Sequence, residues 1–90
     1  MMIPSTAELH AMRLDPRELV IVASDHAEPV DPWAVGHYAR LLAAHPDHDT
    51  DPLLVMCDDE GRKRVRRGRH RLLANLRAGR ASVRVMVYQG

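Results

Sequence analysis

Apolar residues recur along this chain with two different periods, and each period predicts a type of element. Over 32–44 they repeat as i, i+3, i+4, i+7, which gives a helix one apolar face, with Val35, Tyr38, Ala39 and Leu42 on it. Over 83–88, valine alternates with other residue types, which predicts a strand with one buried face.

The boundaries of the predicted helix are marked by residues suited to helix ends. Asp31 can cap it, and Pro32 suits its first position because proline has no N–H that would need a partner there. His45 and Pro46 would end it. We therefore expect a helix from Pro32 to Ala44.

A hairpin is predicted after that helix. Leu53–Cys57 is a continuous apolar run of strand length, which predicts a buried central strand. A turn over 58–61 leads into a second strand over 62–67, whose one apolar residue is Val65. With so little to bury, this second strand is expected at a sheet edge or beside a charged site.

A second helix is predicted directly after the hairpin. Gly68 breaks the chain, and the segment 69–78 has helical spacing, with Gly79 suited to the position after its end. The side chains expected to face inward are its leucines, Leu72, Leu73 and Leu76.

The start of the chain is less regular. Ser5 and Glu8 have the spacing of a capping box, residues 12–14 are compatible with a first strand, and residues 1–11 could form an extension. Asp15, Pro16 and Glu18 predict one helical turn, which leads into a short strand over 19–22. The order strand, helix, hairpin, helix, strand predicts one small α+β domain over 1–90, with a mixed sheet and two main helices.

Composition restricts the class of protein. The chain is 46% hydrophobic and 28% charged, which excludes a disordered tail, and its single cysteine, Cys57, excludes an internal disulfide. The apolar run 53–57 is far too short to span a bilayer, and no basic segment followed by an apolar one marks a secretory signal. We expect a soluble cytoplasmic protein without membrane contact. We expect a bacterial or phage source, and the preference for arginine over lysine suggests a high-GC genome.

The net charge of +1 conceals a sharp division along the chain. Residues 1–61 contain all 12 acids and three bases, whereas residues 62–90 contain ten bases and no acid. Two interpretations remain open. The basic segment either pairs with the acidic part of the same fold or binds phosphate, on a nucleotide or a nucleic acid.

The basic residues are concentrated where the second predicted helix begins. Unpaired amides and the helix dipole favour anions at that position, so cations there are locally unfavourable. The arrangement is explained if a phosphate normally sits among them. The residues predicted to bind it are Arg66, Arg67, Gly68, Arg69, His70 and Arg71.

The same segment carries a family resemblance. Gly68-Arg69-His70-Arg71-Leu72-Leu73-Ala74 resembles the central motif of the ParB/sulfiredoxin superfamily, G-x-R-R or G-x-H-R followed by an apolar residue and alanine. The proline-led strand at 52–55 and the helix at 31–42 are similar to the elements that precede that motif, and the resemblance covers roughly residues 12–88. It implies a ParB/sulfiredoxin-like fold.

In that superfamily the motif binds nucleotide phosphates, which implies CTP or ATP, with Mg²⁺, as ligand. Gly68 and Arg71 match the phosphate-binding glycine and arginine, and His70 matches the histidine of the sulfiredoxin and free-serine-kinase variants. Arg69 stands where ParB proteins have a glutamate linked to CTP turnover and sulfiredoxins their catalytic cysteine. Neither of those reactions is therefore expected, and Cys57 is expected to be inert packing.

Two other groups of residues were candidates for chemistry. Glu28 resembles, by position, a catalytic glutamate of the related kinase and could act as a general base, although it could equally be an ordinary loop acid. The histidines and aspartates of the loop 45–51 are metal-ligand types, but a flexible loop does not supply fixed geometry, and we expect no metal site there.

Three classes of function follow from these residues. The first is a nucleotide-binding module. The second is a protein that binds duplex DNA non-specifically, with nucleotide or phosphodiester hydrolysis if it is an enzyme. The third is an interaction protein, such as a small phage inhibitor or a homodimer, that keeps the fold without the ligand. No helix-turn-helix follows the motif, so recognition of a specific operator is not expected. The few aromatic residues do not interleave with the basic segment, so a base-stacking surface is not expected either.

Overall fold

A computed structural model of the chain describes residues 8–90. The structure has five strands and two helices, with short 3-10 turns at Pro16–Glu18 and Ala23–Asp25. The strands are β1 (His10–Leu14), β2 (Leu19–Val20), β3 (Leu53–Cys57), β4 (Lys63–Arg67) and β5 (Val83–Gln89), and the helices are α1 (Pro32–Ala44) and α2 (Arg69–Arg77). The predicted α+β class, with a mixed sheet and two main helices, is confirmed. Ser5 of the predicted capping box lies outside the described residues.

The sheet has the strand order β1-β5-β3-β4-β2. β3 is central, as its apolar run predicted, and pairs antiparallel with β4 and parallel with β5. β4 is not an edge strand, because β2 pairs with it in parallel at Lys63 and Arg64. Of the two placements expected for this strand, the sheet edge is wrong, because the two-residue β2, too short for its pairing to be recognised from sequence, lies outside it. The other placement, beside a charged site, agrees with the contacts of Arg64 and Arg66 with Asp25.

The main apolar core lies on one face of the sheet. Alternate residues of β3 and β5 point into it, and α2 contributes Leu72, which is 1% exposed. On its other side α2 packs against α1, through Ala74 on α2 and Ala39 and Leu42 on α1. The helix α2 is therefore buried from two directions. Of the three leucines predicted to face inward, Leu72 enters the core, Leu73 is half-buried and Leu76 is 38% exposed, so the prediction was wrong for Leu76.

The predicted helix caps are confirmed. The Asp31 carboxylate accepts hydrogen bonds from the amides of Trp33 (3.0 Å) and Ala34 (3.4 Å) at the start of α1. Asp15 accepts the amide of Arg17 at 2.9 Å and caps the first 3-10 turn. Within residues 8–90, neither helix combines the length and apolar character needed to cross a bilayer.

Candidate functional site

Gly68 joins β4 to α2 in a conformation that only glycine adopts without strain. Its φ is 99° and its ψ 23°, in the left-handed region. A Cβ at this position would lie 2.8 Å from Nη2 of Arg71 and 3.0 Å from Cγ of Leu53. Backbone geometry and close packing therefore both require glycine here, and the sharp turn brings the strand end directly to the start of α2.

The first turn of α2 leaves several backbone donors without a helical partner. The first backbone hydrogen bond of α2 runs from the Leu72 amide to the carbonyl of Gly68, the residue before the helix, at 2.9 Å. The amides of residues 69–71 precede it, so they have no acceptor within the helix. Gly68 offers no capping side chain, and the first turn contains no acidic residue. This end of α2 is therefore electropositive and lacks an internal anion.

A pocket of about 810 Å³ opens at this helix end. Three of the predicted phosphate-binding residues line it, Gly68, His70 and Arg71. The rest of its wall comes from one side of α1 and from the loop before β3, through Ala34, Tyr38, His48, Asp49, Thr50 and Asp51. The sequence therefore predicted the helix end of the pocket, whereas the opposite wall was not predicted.

Arg71 is held in place by main-chain carbonyls. Its Nη1 donates to the carbonyl oxygens of Asp51 at 3.0 Å and Pro52 at 3.1 Å. No carboxylate of residues 8–90 forms an ion pair with it. The guanidinium charge is thus positioned but not neutralised, and its other N–H groups remain available to a ligand.

His70 connects the start of α2 to the start of α1. Its Nε2 accepts the backbone N–H of Asp31 at 2.9 Å. Because an imidazole nitrogen that accepts carries no proton, the ring proton of His70 is on Nδ1 when this bond is made. His70 therefore offers one donor, Nδ1–H, and also fixes the spacing of the two helices at the pocket.

The loop that forms the opposite wall is held at two adjacent residues, Asp49 and Thr50. Arg13 of β1 donates to both carboxylate oxygens of Asp49, at 3.0 and 3.1 Å. Asn75 of α2, which is 2% exposed, donates from Nδ2 to the Thr50 hydroxyl at 3.3 Å and to the Arg71 carbonyl at 2.7 Å. The pocket wall is therefore an ordered part of the fold.

The acids in this wall differ in their charge environment. The hydrogen bonds from Arg13 hold the pKa of Asp49 below its ordinary value, so this carboxylate is ionised and already paired. Asp51 forms no ion pair within residues 8–90, although its carbonyl accepts from Arg71. No set of three or more histidines, cysteines or acids in that range could hold a metal by itself. A single carboxylate beside bound phosphates is, however, a common way to hold Mg²⁺.

The other predicted site residues lie outside the pocket. Arg69 donates through Nη2 to the main-chain carbonyl of Glu28, which places Glu28 beside the helix end but not in the pocket wall. Arg67 is exposed at the end of β4. Arg66 lies at a register irregularity of β4, opposite the step from Leu54 to Val55. Such irregularities re-aim side chains, and Arg66 contacts the second 3-10 turn.

That contact belongs to an ion-pair cluster at the sheet. Asp25, whose side chain is 5% exposed, accepts from Nε of Arg64 at 3.0 Å and lies 3.7 Å from Nη1 of Arg66. The hydrogen bonds from Arg64 hold the pKa of Asp25 below its ordinary value. Arg62 pairs similarly with Asp58, at 2.8 Å. The basic segment is therefore divided within residues 8–90: Arg62, Arg64 and Arg66 form ion pairs with acids, whereas no arginine of α2 does.

Sequence reasoning missed the residues that complete the site from distant segments. Tyr38 had been assigned to the apolar face of α1, but it is 44% exposed and lines the pocket. Thr50 and Asp51 lie in the loop 45–51, which the sequence predicts to be flexible and without a site, yet both line the pocket. The one local signal for them is their position directly before Pro52, whose carbonyl also accepts from Arg71.

Comparison with known proteins agrees with this fold. No protein-family model matches the chain, and neither does any curated protein sequence. The C-terminally truncated chromosome-partitioning protein ParB from Caulobacter crescentus, solved in complex with CTP-γ-S, is similar with a TM-score of 0.76 and 17% identity. That match covers 90% of this chain and 45% of the ParB chain, so this chain spans less than half of it.

Sulfiredoxin from Arabidopsis thaliana is similar with a TM-score of 0.69 and 17% identity, over 90% of this chain and 86% of that one. At this level of identity the likeness defines the fold alone. The chain has a ParB/sulfiredoxin-like fold, as the motif around Gly68 implied.

Proposed function

We propose that the pocket at the start of α2 binds the phosphate groups of a nucleoside triphosphate, CTP or ATP. The observation that carries this proposal is the convergence of Gly68, His70 and Arg71 on one pocket beside three amides without helical partners. Its volume of about 810 Å³ lies in the range of small-molecule sites.

Each group has a distinct role in the proposed complex. The amides of residues 69–71 and the helix dipole receive a phosphate at the helix end. Arg71, with Nη1 occupied by carbonyls, presents its remaining N–H donors to the phosphate oxygens. His70 donates from Nδ1. Because the Arg71 guanidinium is already held in place, little side-chain entropy is lost on binding.

The charge balance around the pocket supports an anionic ligand. The helix α2 contains no acid, and Asp49 is neutralised by Arg13. Asp51 is the pocket carboxylate without an ion pair and is the residue we assign to Mg²⁺, which would share its coordination with the phosphates. Bound there, Mg²⁺ would screen the repulsion between Asp51 and the ligand.

The solved ParB relative, a complex with CTP-γ-S, further supports a nucleotide ligand for this fold. Our proposal covers binding and not turnover. Arg69, at the position of the residues linked to the relatives' reactions, bonds to a main-chain carbonyl. Glu28 as a general base, and hydrolysis of a nucleotide or phosphodiester, stay predictions.

Thermal unfolding in the presence of CTP, ATP, ADP and GTP, each with and without Mg²⁺, tests the proposal. At a ligand concentration 100 times Kd the folded state gains about 2.7 kcal/mol, which raises the Tm of a domain this size by roughly 10–20 °C. Arg71→Ala should abolish the shift, whereas Arg84→Ala, which removes an exposed arginine of β5, should retain it. A full shift in Arg71→Ala would reject this site.

Binding of duplex DNA and a role as an interaction protein stay predictions. A gel shift with random duplex at two salt concentrations tests the first, since non-specific binding weakens steeply with salt. Size-exclusion chromatography with light scattering tests whether the chain forms a homodimer.

A further inference from the structure

One face of α1 outside the pocket carries a pair of stacked rings, of which Trp33 is exposed and His37 half-buried. Trp33, Gly36, His37 and Arg40 have the spacing i, i+3, i+4, i+7 and share this face. The Trp33 indole is parallel to the His37 imidazole, with ring centroids 5.1 Å apart and planes 4° apart. Trp33 is nevertheless 70% exposed. An exposed indole held in one orientation by a neighbouring ring is a prepared surface for a further planar group.

Two arginines converge beside these rings. The position that a Cβ would take at Gly36 lies 3.3 Å from Nη1 of Arg77, on α2, and 3.5 Å from Nη1 of Arg40. Both guanidinium groups therefore lie over the same glycine, close enough for one phosphate to contact both. Neither forms a hydrogen bond or ion pair within residues 8–90.

The surroundings supply no internal anion for these two charges. Neither α1 nor α2 contains an aspartate or glutamate. Two like charges that converge on one point without a counter-ion are electrostatically unfavourable, and an anion from outside the chain would relieve this. The ligand of this face is therefore negatively charged as well as planar.

We infer that this ring–arginine face, defined by Trp33, His37, Arg40 and Arg77, binds single-stranded nucleic acid. A base stacks on Trp33 and a backbone phosphate lies between Arg40 and Arg77. Rings that stack bases beside arginines that contact phosphates are the common means of binding single strands. An acidic peptide would satisfy the arginines but would not use the indole, and the bases of a duplex are already stacked on each other.

The sequence analysis did not expect such a surface, because the aromatic residues do not interleave with the basic segment. The fold overrides this separation, since packing of α2 against α1 brings Arg77 next to Gly36, 41 positions earlier in the chain. The inference goes beyond the proposed nucleotide pocket and uses none of the pocket's residues.

Trp33 is the one tryptophan of the chain, so its fluorescence reports directly on this face. Titration of the full chain with an oligo-dT strand should quench it to saturation. A duplex of equal length and polyglutamate should leave it largely unchanged. With one phosphate neutralised by the two arginines, the slope of log K against log salt should be about −0.7. If polyglutamate quenched the fluorescence equally, the face would bind acidic peptides, and the inference of a nucleic-acid ligand would be overturned.

Variants measured by the anisotropy of a labelled oligo-dT locate the contact. Trp33→Ala should weaken binding by about five-fold or more. Arg40→Ala and Arg77→Ala should each weaken binding and make the salt slope less steep, and the double variant should lose most of the slope of about −0.7. All three residues are exposed, so the fold should persist, which circular dichroism checks. Arg84→Ala removes the same charge from another exposed position and should match the unmodified chain.

The nucleotide pocket provides the second control. Arg71→Ala should retain oligo-dT binding, and the face variants should retain any nucleotide-induced rise in Tm, so the two proposals can fail separately. If Arg40→Ala and Arg77→Ala bind oligo-dT as tightly as Arg84→Ala does, this face is not the binding site. The same conclusion follows if Arg71→Ala no longer binds oligo-dT.

Discussion

Gly68 is the residue on which the geometry of the pocket depends most, and Gly68→Ala is the sharpest test of it. At φ 99° an alanine carries left-handed strain of about 1–2 kcal/mol. Its Cβ would also lie 3.0 Å from Cγ of Leu53, a fully buried core residue, which adds an overpacking cost of about 1–3 kcal/mol. We expect a total loss of about 2–5 kcal/mol in the free energy of unfolding.

Gly61→Ala is the matched control. Gly61 also has a positive φ, 78°, but nothing lies within 4 Å of the Cβ it would gain. The control therefore carries only the backbone strain, and Gly68→Ala should lose about 1–3 kcal/mol more. Urea unfolding followed by circular dichroism measures both variants. Equal losses would refute our account of close packing at Gly68.

A double-mutant cycle separates the two neighbours of the new methyl group. Its shortest contact, 2.8 Å, is with Nη2 of Arg71. Removing that side chain relieves this contact, so the combined Gly68→Ala/Arg71→Ala variant should lose less than the sum of the single losses. Strict additivity would show that the methyl group does not displace Arg71.

Three further predictions address the remaining contacts. Asp25→Asn should lower stability at pH 7 by about 1–3 kcal/mol, because hydrogen bonds to a charged group are lost. Since the folded-state pKa of Asp25 is lowered, its contribution is fully present above its unfolded value of about 4 and is lost as the pH falls from there through the lower folded-state pKa. The difference in Tm between the parent and the variant should therefore shrink steadily as the pH is lowered below about 4. Gly36→Ala should raise stability by up to about 1 kcal/mol in thermal unfolding, because only flexible arginine ends lie near the added methyl; a lower Tm would contradict this. Asn75→Ala should cost about 1–3 kcal/mol and weaken nucleotide binding, whereas Thr50→Val, which removes only the 3.3 Å contact, should cost less; equal losses would show that the bond to Arg71 contributes nothing.

The elements that could be predicted from sequence are those specified by local signals. The bounds of α1 follow from Asp31, Pro32 and the helical period, and β3 follows from its apolar run. The turn at Gly68 is also local. The division of the basic segment could not be predicted, because it depends on which acids the fold brings to β4.

The opposite wall of the pocket depends on contacts between distant segments. Arg13 reaches Asp49 across 36 positions and Ser82 across 69, and no pattern near either residue indicates such a contact. The position of Tyr38 on the pocket side of α1 likewise depends on how α1 packs against α2. Sequence periodicity identifies the apolar face of α1 but does not show which residues lie at its edge. Tyr38 lies at that edge and lines the pocket.

The arginines in the two parts of the basic segment bond to different kinds of partner, a carboxylate for Arg64 and peptide carbonyls for Arg71, and the two kinds respond differently to acid. Arg64 depends on the Asp25 carboxylate, which takes up a proton in strong acid, whereas Arg71 is anchored to two peptide oxygens that do not titrate in that range. Acid should therefore loosen the second 3-10 turn from the sheet while the junction between α2 and the strand entry at Pro52 stays fastened.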